Sequence, residues 1–275
     1  MKIIERYPGS VGEVIQGKCN EIDILLSCPI NLYTKIVLSD EVERENESFY
    51  LKSYKFIDNI LEEWGYKGKK VGVAINSTIP KGKGFASSTA DLCAIYNGLL
   101  KLTDRSFNEE ELIRHCLKIE PTDSIIFDKA TIFDYKEGAV KEKVGSYFKF
   151  YVLCFIGKNI VDTVEYNGKK LEPLKDINDL LIDLREAFEN RDTKKLAKVS
   201  TESIIRNQHR LKYDILEEIL EIKKLTGGLG IIGAHSGDML GIIFDSIDDE
   251  KMKEIEKSEI IGYEKIIVET LDAIN

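Results

Sequence analysis

The stretch from Val71 to Leu100 narrows the fold more than any other part of the chain. Val71-Gly72-Val73-Ala74-Ile75 alternates as a half-buried strand does, and Asn76-Ser77-Thr78-Ile79-Pro80 ends it. Lys81-Gly82-Lys83-Gly84-Phe85-Ala86-Ser87-Ser88-Thr89 follows. Beyond it Leu92, Ile95, Tyr96, Leu99 and Leu100 fall on one face of a helix. The order is strand, glycine-rich loop, helix. Glycines let a ligand approach the backbone, and the unpaired N–H groups and dipole of a helix start favour an anion, most often phosphate. An ordinary glycine turn with a Ser N-cap has the same composition, so spacing alone leaves both readings open. The loop is not a Walker A sequence, because G-x-x-x-x-G-K-[ST] is absent.

The rest of the chain mixes elements. Residues 147–157 read as a buried strand, and Leu180, Leu181, Leu184 and Phe188 share a helical face. A helix is predicted from about Asp214 to Leu225, with Ile215, Ile219 and Ile222 aligned. After it come a glycine-rich turn, a strand at 239–245, a short helix near 249–257 and a last strand at 264–269. The polar run from Asp40 to Ser48 reads as a solvated turn or strand end. Strands and helices do not alternate strictly, which points to an α+β fold. The polar, glycine-bearing stretch from Lys136 to Gly145 suggests two lobes, 1–145 and 146–275.

Composition removes several function classes. Of 275 residues, 43% are hydrophobic, enough for a full core and against disorder. The 39 basic and 48 acidic side chains leave a net charge of −9. Without a basic cluster to release counterions, nucleic acid is a poor partner. No apolar run approaches the ~18 residues of a membrane span, and Glu5 and Arg6 sit where a signal peptide would be apolar. A cytoplasmic protein is expected. Five cysteines without a C-x-x-C pair read as free thiols, and three histidines without a metal-binding spacing leave only a hard, oxygen-held ion as a candidate metal.

Three further segments bear on chemistry. Gly228-Leu229-Gly230-Ile231-Ile232-Gly233 matches G-x-G-x-x-G, but a helix precedes it where a dinucleotide site needs a strand, so a glycine-rich turn is expected instead. Glu120-Pro121-Thr122-Asp123 sets a carboxylate on a turn, as a cap, a general base or a metal ligand, and Glu120 three residues away could share Mg²⁺. Pro8 to Gly17 (PGSVGEVIQG) surrounds Glu13 and Gln16 with three glycines, suiting a tight turn or a hairpin.

Together PGSVGEVIQG at 8–17, PKGKGFASSTAD at 80–91 and GIIGAHSGDMLGIIFD at 230–245 resemble the GHMP kinase superfamily. Ala86 stands where most of that superfamily has Gly. With Ser27-Cys28-Pro29-Ile30-Asn31-Leu32-Tyr33 and the E-P-T-D-S segment, the chain looks most like the L-threonine kinases of cobalamin biosynthesis. The resemblance implies a ribosomal-protein-like N-terminal lobe joined to a ferredoxin-like C-terminal lobe. It implies ATP and Mg²⁺, with Pro80, Lys81, Gly82, Lys83, Gly84, Phe85, Ala86, Ser87, Ser88 and Thr89 wrapping the triphosphate. Ser88 would be a Mg²⁺ ligand and Glu120 a weaker second candidate. Asp123 falls at the position of the catalytic aspartate. Ser10, Glu13 and Gln16 would line the acceptor pocket, and the His235-Ser236-Gly237 turn would approach it from the second lobe.

The resemblance thus implies transfer of the ATP γ-phosphoryl group to the threonine side-chain hydroxyl. A kinase for another hydroxyl compound such as homoserine, or a nucleotide-binding protein without transfer activity, are the alternatives. A small amino acid and ATP are the expected partners, with neither nucleic acid nor membrane, and a homodimer stays open. One departure concerns Asp123: several superfamily members carry a Lys after the first Pro-Gly, where this chain has Ser10, so a cation beside Asp123 is not assured.

Overall fold

The computed structural model describes residues 1–41, 44, 48, 50–159, 171–234 and 237–274. Most of the Asp40–Ser48 polar run lies outside the described residues. Strand β1 (Lys2–Ser10) pairs antiparallel with β4 (Pro29–Ser39), which pairs with β5 (Gly72–Ser77) in a three-stranded sheet. A second antiparallel sheet runs β2 (Ile15–Cys19), β3 (Ile22–Leu26), β6 (Ala130–Phe133), β7 (Lys141–Gly145). Helix α2 (Ser87–Thr103) packs against β1 and β4, flanked by α1 (Leu51–Glu63) and α3 (Glu109–Leu117). Its Leu92, Ile95, Tyr96 and Leu99 are all essentially inaccessible, as their spacing predicts.

Past Gly145 the order is β8 (Tyr151–Ile156), α4 (Leu180–Asn190), α5 (Thr193–Arg206), α6 (Leu216–Thr226), β9 (Gly230–Gly233), β10 (Met239–Phe244), α7 (Asp249–Lys257) and β11 (Glu264–Glu269). The sheet order is β11-β8-β10-β9, all antiparallel. A βαββαβ chain in that order is the ferredoxin-like arrangement. Strand β8 is buried on both faces. Val152, Cys154 and Ile156 join the large core shared with the first half of the chain, whereas Leu153 and Phe155 face a second core under α6 and α7. That double burial is why 147–157 reads as an unbroken apolar run.

The segment Gly230–Gly233 corrects an expectation. It is a strand, fully buried and paired along β10, not a turn. A Cβ at Gly230 would sit 2.4 Å from the Ala197 carbonyl oxygen, so the glycine serves close packing on α5. With a helix before and a strand after, it is no dinucleotide loop, as the sequence indicates. The five cysteines are free thiols, four of them buried. No helix among the described residues is long and apolar enough to cross a membrane.

Candidate active site

Three distant motifs meet here, backbone against backbone. The Ser10 N–H donates to the Phe85 carbonyl (3.0 Å), the Gly12 N–H to the Gly84 carbonyl (3.1 Å), and the Glu13 N–H to the Gly233 carbonyl (3.2 Å). Such distances leave no room for side chains. Gly12 has φ +57°, and a Cβ there would lie 2.5 Å from the Gly233 oxygen. Gly84 has φ +90°, and its Cβ would lie 1.9 Å from that of Ala234. Gly237 rests on the same loop, where a Cβ would meet the Lys83 oxygen at 2.5 Å. His235 and Ser236 lie outside the described residues.

The glycine loop ends at Ala86, which caps α2 with φ +51°, a left-handed conformation that costs a non-glycine residue roughly 1–2 kcal/mol. This explains why glycine suits the position and what the alanine gives up. No side chain caps α2, and its first turn has no acidic residue. The Ser N-cap reading therefore fails, and the helix presents its first N–H groups uncapped beside Ser87 and Ser88. The loop borders a cleft of about 640 Å³ lined by Pro80, Lys81 and Lys83, and by Ile156 to Lys158 and Gly262 to Glu264 across from them. Lys83 does not point its charge into an anion site: Nζ donates to the Gly157 and Asn159 carbonyls, 2.7 Å each, stapling the loop to the end of β8.

Asp123 stands at the start of a 3₁₀ turn (Ser124–Ile126). Its Oδ1 accepts from the Ile125 N–H (3.0 Å), and its Oδ2 from Ser27 Oγ (3.0 Å) and Ser10 Oγ (3.3 Å). Its own N–H donates to Thr89 Oγ1 (3.2 Å), so one hydrogen bond ties the carboxylate's residue to the first turn of α2. Burial, then the charge of Glu13, pushes the Asp123 carboxyl up to about 7, against the opposing pull of the Ile125, Ser27 and Ser10 donors. Ser10 thus supplies a neutral donor to the carboxylate and no cation. Two hydroxyls do not offset desolvation as a nearby positive charge would.

Glu13 and Gln16 are buried at the turn into β2 and within it. Ser203 Oγ on α5 takes the Gln16 N–H (3.0 Å) and donates to its carbonyl (3.1 Å), fixing this strand start against the second half of the chain. Glu120 is buried and ion-paired with Lys52 Nζ at 2.6 Å. Asp91, one turn along α2 from Ser88, accepts from Thr34 Oγ1; burial raises its carboxyl to about 6, with Lys81 opposing and Glu120 adding. Among the described residues no three His, Cys, Asp or Glu side chains form a metal cage. Mg²⁺ that is held mainly by phosphates needs only one or two protein oxygens, so the hydroxyl and carboxylates near the start of α2 fit such an ion.

Comparison with known proteins agrees with this geometry. Residues 51–132 match the GHMP kinases N terminal domain, and residues 184–257 match the GHMP kinases C terminal domain. The chain belongs to the GHMP kinase family. An L-threonine kinase from Citrobacter freundii is 25% identical over 252 residues, covering 88% of this GHMP kinase and 86% of the relative. A homoserine kinase from Caldanaerobacter subterraneus is also 25% identical, over 272 residues, covering 85% and 82%. Among solved structures, homoserine kinase from Cytophaga hutchinsonii superposes with a TM-score of 0.70 at 14% identity over 99% of this chain and 95% of that one. Mevalonate pyrophosphate decarboxylase from Streptococcus pyogenes gives 0.72 at 15% identity, over 99% and 97%. The fold therefore hosts different reactions, and the acceptor has to be argued from the site.

Sequence reasoning named Ser10, Asp123 and the glycine loop, and the structure brings them together. Ser27 and Asp91 carry no role in that reading, and Thr89 stands there as a triphosphate contact and not as the acceptor of the Asp123 N–H. Each lies within a quoted motif, but its partner is remote in sequence, so spacing alone gives no sign of the contact.

Proposed function

We propose that this GHMP kinase transfers the γ-phosphoryl group of ATP to the side-chain hydroxyl of L-threonine, releasing ADP and O-phospho-L-threonine. The observation that carries the reading is Asp123, a desolvated carboxylate poised near neutral pH and one hydrogen bond from the uncapped start of α2. The N–H groups of that first turn, with the loop from Pro80 to Ala86, would hold the triphosphate in line with the acceptor. As the hydroxyl oxygen bonds to the γ-phosphorus and the bond to the β-phosphate oxygen breaks, the hydroxyl proton passes to Asp123. Glu13, buried and close enough to raise the Asp123 pKa, would hold the substrate ammonium. Ser88 Oγ would hold Mg²⁺, with Glu120 the second candidate once it exchanges Lys52. Bound Mg²⁺ neutralises charge on the phosphate oxygens. In this reading residues 1–145 carry the nucleotide and 146–275 close the acceptor pocket through Gly233, Ala234 and Gly237.

The second reading, a homoserine kinase, rests on the equal identity to a relative of that name. ADP release with threonine, serine, homoserine and mevalonate separates the two. Threonine is expected to exceed homoserine in kcat/KM by about tenfold or more, the scale on which one carbon of chain length discriminates. A preference for homoserine transfers the assignment to it, and nucleotide binding without ADP release on any acceptor removes the kinase reading.

A further inference from the structure

Lys52 and Glu120 form an ion pair unlike the others in this chain. Among the described residues every other paired carboxylate leaves at least 11% of its side chain in water, whereas Glu120 leaves 3%. Lys52 reaches it from outside, with 40% of its own side chain exposed and Nζ 2.6 Å from Oε2. Among the described residues no other donor bonds the Glu120 carboxylate. A carboxylate has about four acceptor positions, so this buried one is undersupplied.

The place of Lys52 in its own helix points the same way. It stands in the first turn of α1, where the helix dipole favours an acidic residue and disfavours a cation. That turn has no acidic residue, and no side chain caps it. The lysine is therefore stabilised there by Glu120 and not by its helix. Glu120 in turn is fixed near the start of α2. Its N–H donates to the Cys116 carbonyl (3.1 Å), and its carbonyl accepts from Thr122 Oγ1 (3.0 Å). Three residues on, the Asp123 N–H is bonded to Thr89 Oγ1 in the first turn of α2. The carboxylate is the anchored partner, and the lysine, on a flexible four-carbon stem, is the one that can leave.

We propose that Lys52 is a stand-in counter-ion for the metal: it keeps Glu120 ionised and oriented between turnovers and yields that carboxylate to the incoming metal–nucleotide complex. This rests on the reading of Glu120 as a Mg²⁺ ligand given above, and it makes Lys52 a positioning residue that acts through Glu120. Loading the site then includes breaking one charge-assisted bond, so Lys52 lowers the affinity for the complex, and its return to Glu120 favours product release. The test reads binding and not turnover. Calorimetry at pH 8, well above the ordinary carboxylate range, gives the Kd of a non-hydrolysable ATP analogue with Mg²⁺ and with EDTA. To Lys52→Met the Mg²⁺ complex should bind about tenfold tighter than to the wild type, the scale of one charged hydrogen bond with a half-exposed partner. The metal-free analogue should bind no tighter than to the wild type. Lys52→Arg, which keeps a cation on Glu120, should stay within about threefold of the wild type in both conditions. Lys52→Gln, which keeps a donor without the charge, should follow Met, and it serves if the Met variant does not fold. Equal or weaker binding of the Mg²⁺ complex to the Met and Gln variants would make Lys52 a structural support and overturn the proposal, with the kinase assignment intact. A wild type that binds the analogue equally well with Mg²⁺ and with EDTA would overturn the metal reading of Glu120 and this proposal with it.

Discussion

Asp123→Asn is expected to yield a protein that is harder to unfold at pH 8 and turns over about 10²–10⁴-fold more slowly. Both effects come from one cause. The folded carboxyl holds its proton to about pH 7, against an ordinary 3.8. Between about pH 4 and 7 the folded state therefore binds a proton that the unfolded chain has released. Stability falls as pH rises through that window and is flat above it. The gap converts to at most ~4 kcal/mol, and because Asp123 is only half-buried as a residue we expect about 1–3 kcal/mol. Asn retains an acceptor for Ser27 and Ser10 and carries no charge to desolvate. The wild-type kcat/KM should rise with pH to a plateau beyond about 7, and the variant should lack that limb. Urea unfolding across pH 4–8 and a pH–rate profile read the two effects separately. Wild-type turnover in the Asn variant would remove the base, and identical pH dependence of stability would remove the desolvated carboxylate.

Gly84→Ala should damage the loop as severely by a different route. The new methyl would have to occupy space 1.9 Å from the Ala234 Cβ, on a backbone with φ +90°. Overpacking costs about 1–3 kcal/mol, and the left-handed conformation about 1–2 more. Relief can come only by moving the loop away from Ala234 and Gly237, which would dislodge the start of α2, so nucleotide affinity should fall by more than tenfold. Gly68→Ala is the control. It also has positive φ (+82°), but nothing lies within 4 Å of its Cβ, so it should lose about 1 kcal/mol and no affinity. Denaturant titration and calorimetry with ATP distinguish the two. Equal effects on affinity would mean that the contact with Ala234 does not hold the loop.

The elements legible in the sequence are those with one clear apolar face or an unbroken apolar run. The face of α2 follows from periodicity, β8 from its continuous apolar run, and the expected positions of α7 and β11 match the structure. Helix α5 was not legible, because Ser200 and Ser203 occupy buried positions on its inner face. Ser203 is inside because its hydroxyl bonds the Gln16 backbone, a partner 187 residues away. Strand β9 was hidden for a related reason: its glycines are there for packing against α5 and look like a turn. Helix α1 carries a helical spacing in Phe56, Ile57 and Ile60 that is as readable as that of α2.

The site divides in the same way. Local motifs supplied its backbone cradle and its carboxylate. The contacts that fix those groups, such as Ser203 on the Gln16 backbone and Thr89 on the Asp123 N–H, depend on long-range packing. Ala86 shows the limit of motif matching, since its departure from glycine becomes intelligible only through its φ of +51°.

The uncapped first turn of α2 is expected to grip a nucleotide triphosphate beside Asp123. A crystal structure with a non-hydrolysable ATP analogue, Mg²⁺ and threonine tests it directly. The expected result has β- or γ-phosphate oxygens on the N–H groups of Ser87, Ser88 or Thr89 and the threonine hydroxyl on Asp123. Phosphates bound away from that turn, or a hydroxyl facing another carboxylate, would contradict it.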